Sequence, residues 1–195
     1  MPRLVDHAER RRAILEVTWR LIATHGVEAA TMREIARQAG YANGALARYF
    51  PNKEALIEAA YVYVSEQTDE RTRTATVGKR GVAALRAFLV ELMPTEEVTR
   101  LEARIVLPFW SRTVTDGQLA RTNDAQLHRW RAKMVALIRQ ARADGDIRAD
   151  LADEVIAEQL LAMAMGLQIL GLLPDHPSSP ELQLRLIDTH LAGLS

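Results

Sequence analysis

The stretch from Thr31 to Lys53, TMREIARQAGYANGALARYFPNK, decides how this chain is read. Two short helical runs flank Gly40, a residue free to take the left-handed conformation that turns a chain sharply. Helices joined by so tight a turn cross steeply and need a small residue where they touch. Ala36 is that residue, four positions before Gly40, and Leu46, ten after Ala36, is placed to plug the second helix into the core. Ile35 and Tyr49 complete the apolar contacts. Thr31 opens the first helix with Glu34 three positions later, a capping-box signature. The second begins near Asn43 and finishes before Pro51, because proline disfavours helical geometry in the residue preceding it.

A small, glycine, apolar spacing of this kind marks a helix-turn-helix, here about residues 31–50, whose second helix enters the major groove of DNA. With Leu46 and Phe50 turned inward, steps of about 100° per residue place Gly44 and Arg48 on the opposite side, flanked by Asn43, Ala45 and Ala47. That outer face is slim enough for the backbone to approach a duplex. Asn43 is suited to an adenine edge, and Arg48 to a guanine edge or a phosphate. Thr31 and Lys53, each opening a helix, are suited to phosphates.

Working outward, helical periodicity runs almost throughout, and no alternating strand pattern or hairpin signal competes with it. The expected class is all-α with about nine helices. A first helix starts at Asp6, with Glu9 completing a capping box, carries an apolar stripe of Ile14, Leu15, Val17, Leu21 and Ile22, and stops at Gly26. Asn52 caps a fourth, expected to run through Tyr63 until the polar stretch Glu66 to Thr76. Five more are placed near Val82–Met93, Glu96–Val114, Gly117–Ala143, Leu151–Leu173 and Pro180–Leu194, with Asp116, Asp150 and Ser179 as caps and Gly145 as a stop. The division expected is a head over residues 1–66 and a helical ligand-binding and dimerisation body over 67–195.

Bulk properties narrow the function classes. The net charge is zero, yet residues 1–53 hold nine Lys or Arg against five Asp or Glu, leaving an excess of four acids for the rest. A basic head on a mildly acidic body fits a nucleic-acid partner better than the total does. The chain has no Cys, so no disulfide framework or thiolate chemistry is open to it, and a cytoplasmic location is expected. The most apolar run, Leu160–Leu173, falls short of the roughly 20 residues a spanning helix needs. His7, His25, His128, His176 and His190 are scattered without ligand spacing, and glycine-rich phosphate loops and catalytic motifs are missing. No metal, no cofactor and no enzymatic activity are expected.

The run from Arg10 to Leu56 resembles the amino-terminal domain of the TetR family of transcriptional regulators. The resemblance is carried by Thr31–Glu34–Ile35–Ala36, Ala39–Gly40, Gly44–Leu46, Tyr49–Phe50 and Lys53–Glu54–Leu56. It implies DNA-contact roles for Thr31, Arg33, Asn43, Gly44, Ala45, Tyr49 and Lys53, nine helices, and a homodimer joined through the last two. Tyr41 stands where the family usually has Val, Ala42 where it often has a capping Ser, and Ala47 where it commonly has Tyr. Tyr41 and Arg48 are counted with the DNA-facing set. Arg3 and Arg10 to Arg12 are either groove or phosphate contacts or an ordinary solvated face.

The body resembles a BetI-like subgroup through Leu107–Pro108–Phe109–Trp110 and Leu127–His128–Arg129–Trp130–Arg131. Phe88, Met93, Phe109, Trp110, Trp130 and Met134 are candidates for a ligand cavity, with plain core packing as the alternative. Glu102 and Arg104 either orient a polar ligand or are surface charges. The helix over Leu151–Leu173 is apolar almost all round and requires cover on every side, by a second subunit or by a central position in the core. Leu160, Met163, Leu167 and Leu170, with Leu184, Ile187 and Leu191 of the last helix, are the dimer candidates. The resulting expectation is a homodimeric repressor on a palindromic double-stranded DNA operator, released by a small molecule of unknown identity. Two alternatives stay open: a constitutive or partner-controlled DNA-binding protein, and an all-α ligand-binding protein or enzyme.

Overall fold

The computed structural model describes residues 7–148, 150–174 and 176–195, the side chain of Asn43 excepted. Among these residues there are nine α-helices and no strand. They are α1 (His7–His25), α2 (Met32–Gln38), α3 (Asn43–Leu46), α4 (Lys53–Thr76), α5 (Gly81–Glu91), α6 (Glu97–Thr113), α7 (Gly117–Ala143), α8 (Asp153–Leu170) and α9 (Pro180–Ala192). No helix of the described residues is long and apolar enough to cross a membrane. The expected cap at Asp6 and the arm residue Arg3 lie outside the described residues.

The chain forms two compact units, one reaching to Glu66 and taking in Arg104–Thr122, the other comprising Gln67–Ala103 and Asn123–Ser195. In the first unit α2 packs against both α1 and α3. Its core joins Ile14, Trp19 and Ile22 of α1 to Ile35, Ala36, Leu46, Phe50, Leu56 and Tyr61, all buried. Trp19 belongs to that stripe, whereas Val17 is only half-buried. Tyr61 stacks on Phe109 with ring centroids 3.7 Å apart and planes 4° from parallel. Arg104 donates to the carbonyl of Ala23 at 3.1 Å, occupying an acceptor that the end of α1 leaves open. It is an exposed charge tied to a helix end.

In the second unit α5 packs on α9, and the core gathers Leu85, Phe88, Leu89, Met93, Trp130, Met134, Ile138, Ile156, Leu160, Leu161, Ile187 and Leu191. Glu102 is buried here, clasped by both terminal nitrogens of Arg71 at 2.6 and 2.7 Å, with Thr68 alongside. Burial pushes its carboxyl above the usual range, and the guanidinium of Arg71 opposes that rise. Glu91 lies 3.4 Å from Arg71 Nε, an ion contact without hydrogen-bond geometry.

Caps follow the sequence where their side chains reach. Asn52 accepts from Ala55 N–H at 2.8 Å, Asp116 from Gln118 and Leu119, and Ser179 from Leu182. Gly26 and Gly145 follow the ends of α1 and α7 with φ above +80°. Asp150 caps nothing: α8 begins three residues later behind Ala152, and its first-turn acids Asp153 and Glu154 pair with Arg139 and Arg142.

The largest departure is α4, which continues thirteen residues past Tyr63. The polar stretch Glu66 to Thr76 is helical because its polar groups have partners. Thr72, Thr74 and Thr76 return their hydroxyls to carbonyls one turn back, Glu70 pairs with Arg73, and Thr68 and Arg71 reach Glu102.

Candidate nucleic-acid interface

Thr31 is the N-cap of α2, in extended conformation (φ −81°, ψ 151°), and its hydroxyl accepts from Glu34 N–H at 3.2 Å. Only half of the capping box forms. The carboxylate of Glu34 turns to Arg37 and Gln38 instead of returning to Thr31. The hydrogen bond from Arg37, then that from Gln38, hold the Glu34 carboxyl down at about 2. Arg37 is thus committed within its own helix, while Arg33 and Arg48 are exposed with no acidic partner among the described residues.

The turn is a Schellman arrangement. Gly40 stands at φ +75°, Tyr41 N–H donates to Ala36 C=O at 2.8 Å, and Gly40 N–H points at Arg37 C=O. No L-residue takes that φ cheaply, so Gly40 fixes the angle at which the chain leaves α2. The helix α3 is shorter than expected. It covers Asn43–Leu46, and i to i+3 turns carry the chain on to Tyr49 before Phe50 closes on Leu46 C=O. Ala42 C=O receives Leu46 N–H, so Ala42 occupies the cap position with no side-chain oxygen to offer. That missing cap leaves the amino end of α3 without a side-chain acceptor.

Leu46 and Phe50 are fully buried, while Gly44, Ala47 and Arg48 face solvent. A Cβ added at Gly44 would meet nothing within 4 Å, and its φ is not positive. Neither packing nor backbone conformation requires glycine there.

Tyr41, Ala45, Arg48 and Tyr49 come together around a concavity of about 210 Å³, joined by His7 and Arg10 from the first turn of α1. The His7 and Tyr41 rings lie 5.8 and 6.2 Å from that of Tyr49. Lys53 opens α4 half-buried, with Nζ 4.0 Å from the fully exposed carboxylate of Glu28, a contact too loose to hold it. Arg11 is spent on the Phe50 ring, 4.5 Å from its centroid. The side chain of Asn43, proposed for an adenine edge, lies outside the described residues. His7 had no signal in the sequence. Its place is set by the return of α1 to the end of α3, which no local spacing reveals.

The other candidate sets are scattered or buried. Phe109 and Trp110 fall in the first unit, Phe88, Met93, Trp130 and Met134 in the second. Phe109, Met93 and Met134 are fully buried, and Phe88 and Trp130 line a concavity of about 240 Å³. Leu160, Leu167, Ile187 and Leu191 are buried in the second unit's own core, which removes them from a dimer surface, while Met163, Leu170 and Leu184 are half-buried. A helix apolar on every side does not disclose which stripe faces inward. Along the last two helices the large apolar residues left exposed are Val155 and Ile169 of α8, Leu173 just beyond it and Leu186 of α9, while Val77, Val98, Val114 and Leu151 are exposed elsewhere.

A glycine-turned helix pair with a slim exposed second helix and unpaired arginines defines a helix-turn-helix DNA-binding protein. Residues 14–60 match the family described as bacterial regulatory proteins, tetR family, and residues 81–195 match the BetI-type transcriptional repressor C-terminal domain. The chain belongs to the TetR family of transcriptional regulators and carries a BetI-type carboxy-terminal domain. It is 28% identical to the HTH-type transcriptional regulator PksA of Bacillus subtilis over 100% of this chain and 94% of that protein. Identity to the HTH-type transcriptional regulator BetI of Paraburkholderia phytofirmans is 25%, covering 98% and 96% respectively. A transcriptional regulator from Saccharomonospora viridis has the same fold, with a TM-score of 0.86 at 23% identity over 93% of this chain and 95% of that one. These relatives are regulators of transcription and not enzymes.

Proposed function

We propose that the chain is a homodimeric repressor that acts in the cytoplasm on a palindromic operator and is released from it by a small molecule. The observation that carries the DNA-facing part is Gly44. Glycine inside a helix costs about 1 kcal/mol relative to alanine, and nothing in the chain calls for it there. The explanation lies outside the chain, in a surface that α3 must approach closely. The groups around it fit a duplex: Arg48 for a base edge or phosphate, and Thr31, Arg33, Tyr41, Tyr49 and Lys53 for the backbone on either side.

The dimer reading is supported by the second unit's uncovered apolar surface. Val155, Ala162, Gly166 and Ile169 follow helical spacing along α8, and Leu186 of α9 adds to them. Paired about a twofold axis, such a surface is self-complementary and sets two recognition helices at a fixed separation. The ligand reading is supported by the concavity beside Phe88 and Trp130. The Saccharomonospora viridis regulator, moreover, was solved in complex with choline. Helix α4 begins in the first unit and ends in the second, so a ligand that favours one conformer of the second unit alters head spacing through it.

Gel-shift titration against fragments of the source genome tests the whole. The expected result is a fragment bound at least about a thousandfold more tightly than scrambled DNA at physiological salt. Equal affinity for both removes the regulator reading.

A further inference from the structure

The concavity of the second unit has a floor and a rim of different chemistry. The floor is apolar, formed by Phe88 and Trp130, both nearly inaccessible, with Thr72 beside them. Its polar atoms are already spent. Thr72 donates its hydroxyl to Asp69 C=O at 2.9 Å, and Asp69 Oδ1 accepts from Trp130 Nε1 at 2.8 Å and from Gln126 Nε2 at 3.0 Å. The rim is basic, with Arg73, Arg129 and Lys133.

Two of the three have partners. Arg73 is held at two points by the exposed Glu70 on its own helix, Arg129 donates to the Gln126 amide oxygen and stands 3.7 Å from Asp69, and Lys133 has no partner among the described residues. Even with Glu70 counted against Arg73, the rim and walls carry net positive charge. The carboxylate a cation would seek is the one already taken by an indole N–H, an amide and a guanidinium.

We propose that this concavity binds a small organic monoanion, its apolar body against Phe88 and Trp130 and its carboxylate toward Lys133 and Arg129. The proposal rests on the reading of the chain as a small-molecule-responsive regulator and names the class of that molecule. It sets this chain apart from the choline-bound neighbour, because a quaternary ammonium would enter against the rim's charge. At about 240 Å³ the space lies below the roughly 300 Å³ where drug-sized sites begin. The ligand is therefore of the size of a benzoate or a short fatty acid. A charge-assisted contact to Lys133 supplies orientation, and the apolar floor supplies most of the burial.

The test is calorimetric titration of the full-length protein with benzoate, octanoate and choline, repeated on Lys133→Glu. Lys133 is exposed, so the variant keeps its fold, which circular dichroism checks. The expected result is binding of at least one of the two acids at millimolar concentration or below, weakened about tenfold or more in Lys133→Glu, with no binding of choline. Choline binding in place of the acids, no binding of either acid, or acid binding unchanged in Lys133→Glu each overturns the proposal. Gel shifts on the same preparation separate the two readings. Tight operator binding without acid binding sinks the anion site alone, whereas acid binding that behaves as expected in a protein that holds no DNA fragment sinks the regulator reading alone.

Discussion

Gly44 and Arg71 show how much a single residue carries in this chain, and in opposite directions. Gly44→Ala adds a methyl into open space within a helix, so it raises stability by up to about 1 kcal/mol in urea denaturation. The same methyl stands between α3 and the duplex, and operator affinity falls about tenfold or more by gel shift. A variant that is stabilised yet binds DNA as before would show that the glycine serves no close approach. Arg71→Met leaves the buried Glu102 carboxylate without its main counter-ion and costs about 3–5 kcal/mol at neutral pH. The folded-state pKa of Glu102 already lies above its ordinary value, and the substitution raises it further by removing the opposing charge. A raised carboxyl favours the folded state at acid pH, and that contribution is lost as pH rises through the folded pKa. The loss in Arg71→Met therefore shrinks as pH falls towards the ordinary glutamate range, measured by denaturation at several pH values. A pH-independent loss would place the cost in packing instead.

Among the elements, the turn between α2 and α3 depends on one backbone angle. Gly40→Ala forces a side chain into φ +75° and costs about 1–2 kcal/mol, read by thermal or urea unfolding. A neutral result would mean that the turn relaxes to another geometry. Most element boundaries with a chemical signature were legible: Asn52, Asp116, Ser179, Gly26, Gly40 and Gly145 all stand where their side chains, or lack of one, require, whereas Asp150, equally suited to cap, does not. The extent of α4 was not legible. Glu66 to Thr76 looks like a solvated break because the partners that make it helical, Glu102 and the threonines' own carbonyls, are invisible to a local window. The abbreviated α3, which passes into i to i+3 turns before Tyr49, was not legible either.

For the whole molecule, association and function stand or fall together. Ile169→Glu places a charge on the apolar stripe of α8, where the side chain is 45% exposed and free of the core. The expected outcome is a folded monomer by light scattering, at concentrations where the parent is a dimer, with operator affinity reduced at least about a hundredfold by loss of the second half-site. A dimer that survives this change is joined through another surface. Leu160, Leu167, Ile187 and Leu191 do not suit this test, since each packs inside its own protomer and a charge there unfolds the chain.

The amino-acid order alone determined the helical class, the helix-turn-helix and the residues facing outward from it. These rest on local rules: a 3.6-residue period, a glycine that turns a chain, and a proline that ends a helix. Tertiary structure alone decided which apolar stripe of α8 is core and which is surface, and that His7 and Arg10 meet Tyr41, Arg48 and Tyr49. It also decided that Phe88 and Trp130 floor a concavity while Met93, Phe109 and Met134 are fully buried. Those outcomes depend on which surfaces meet across dozens of residues, and periodicity says that a face is apolar without saying what covers it.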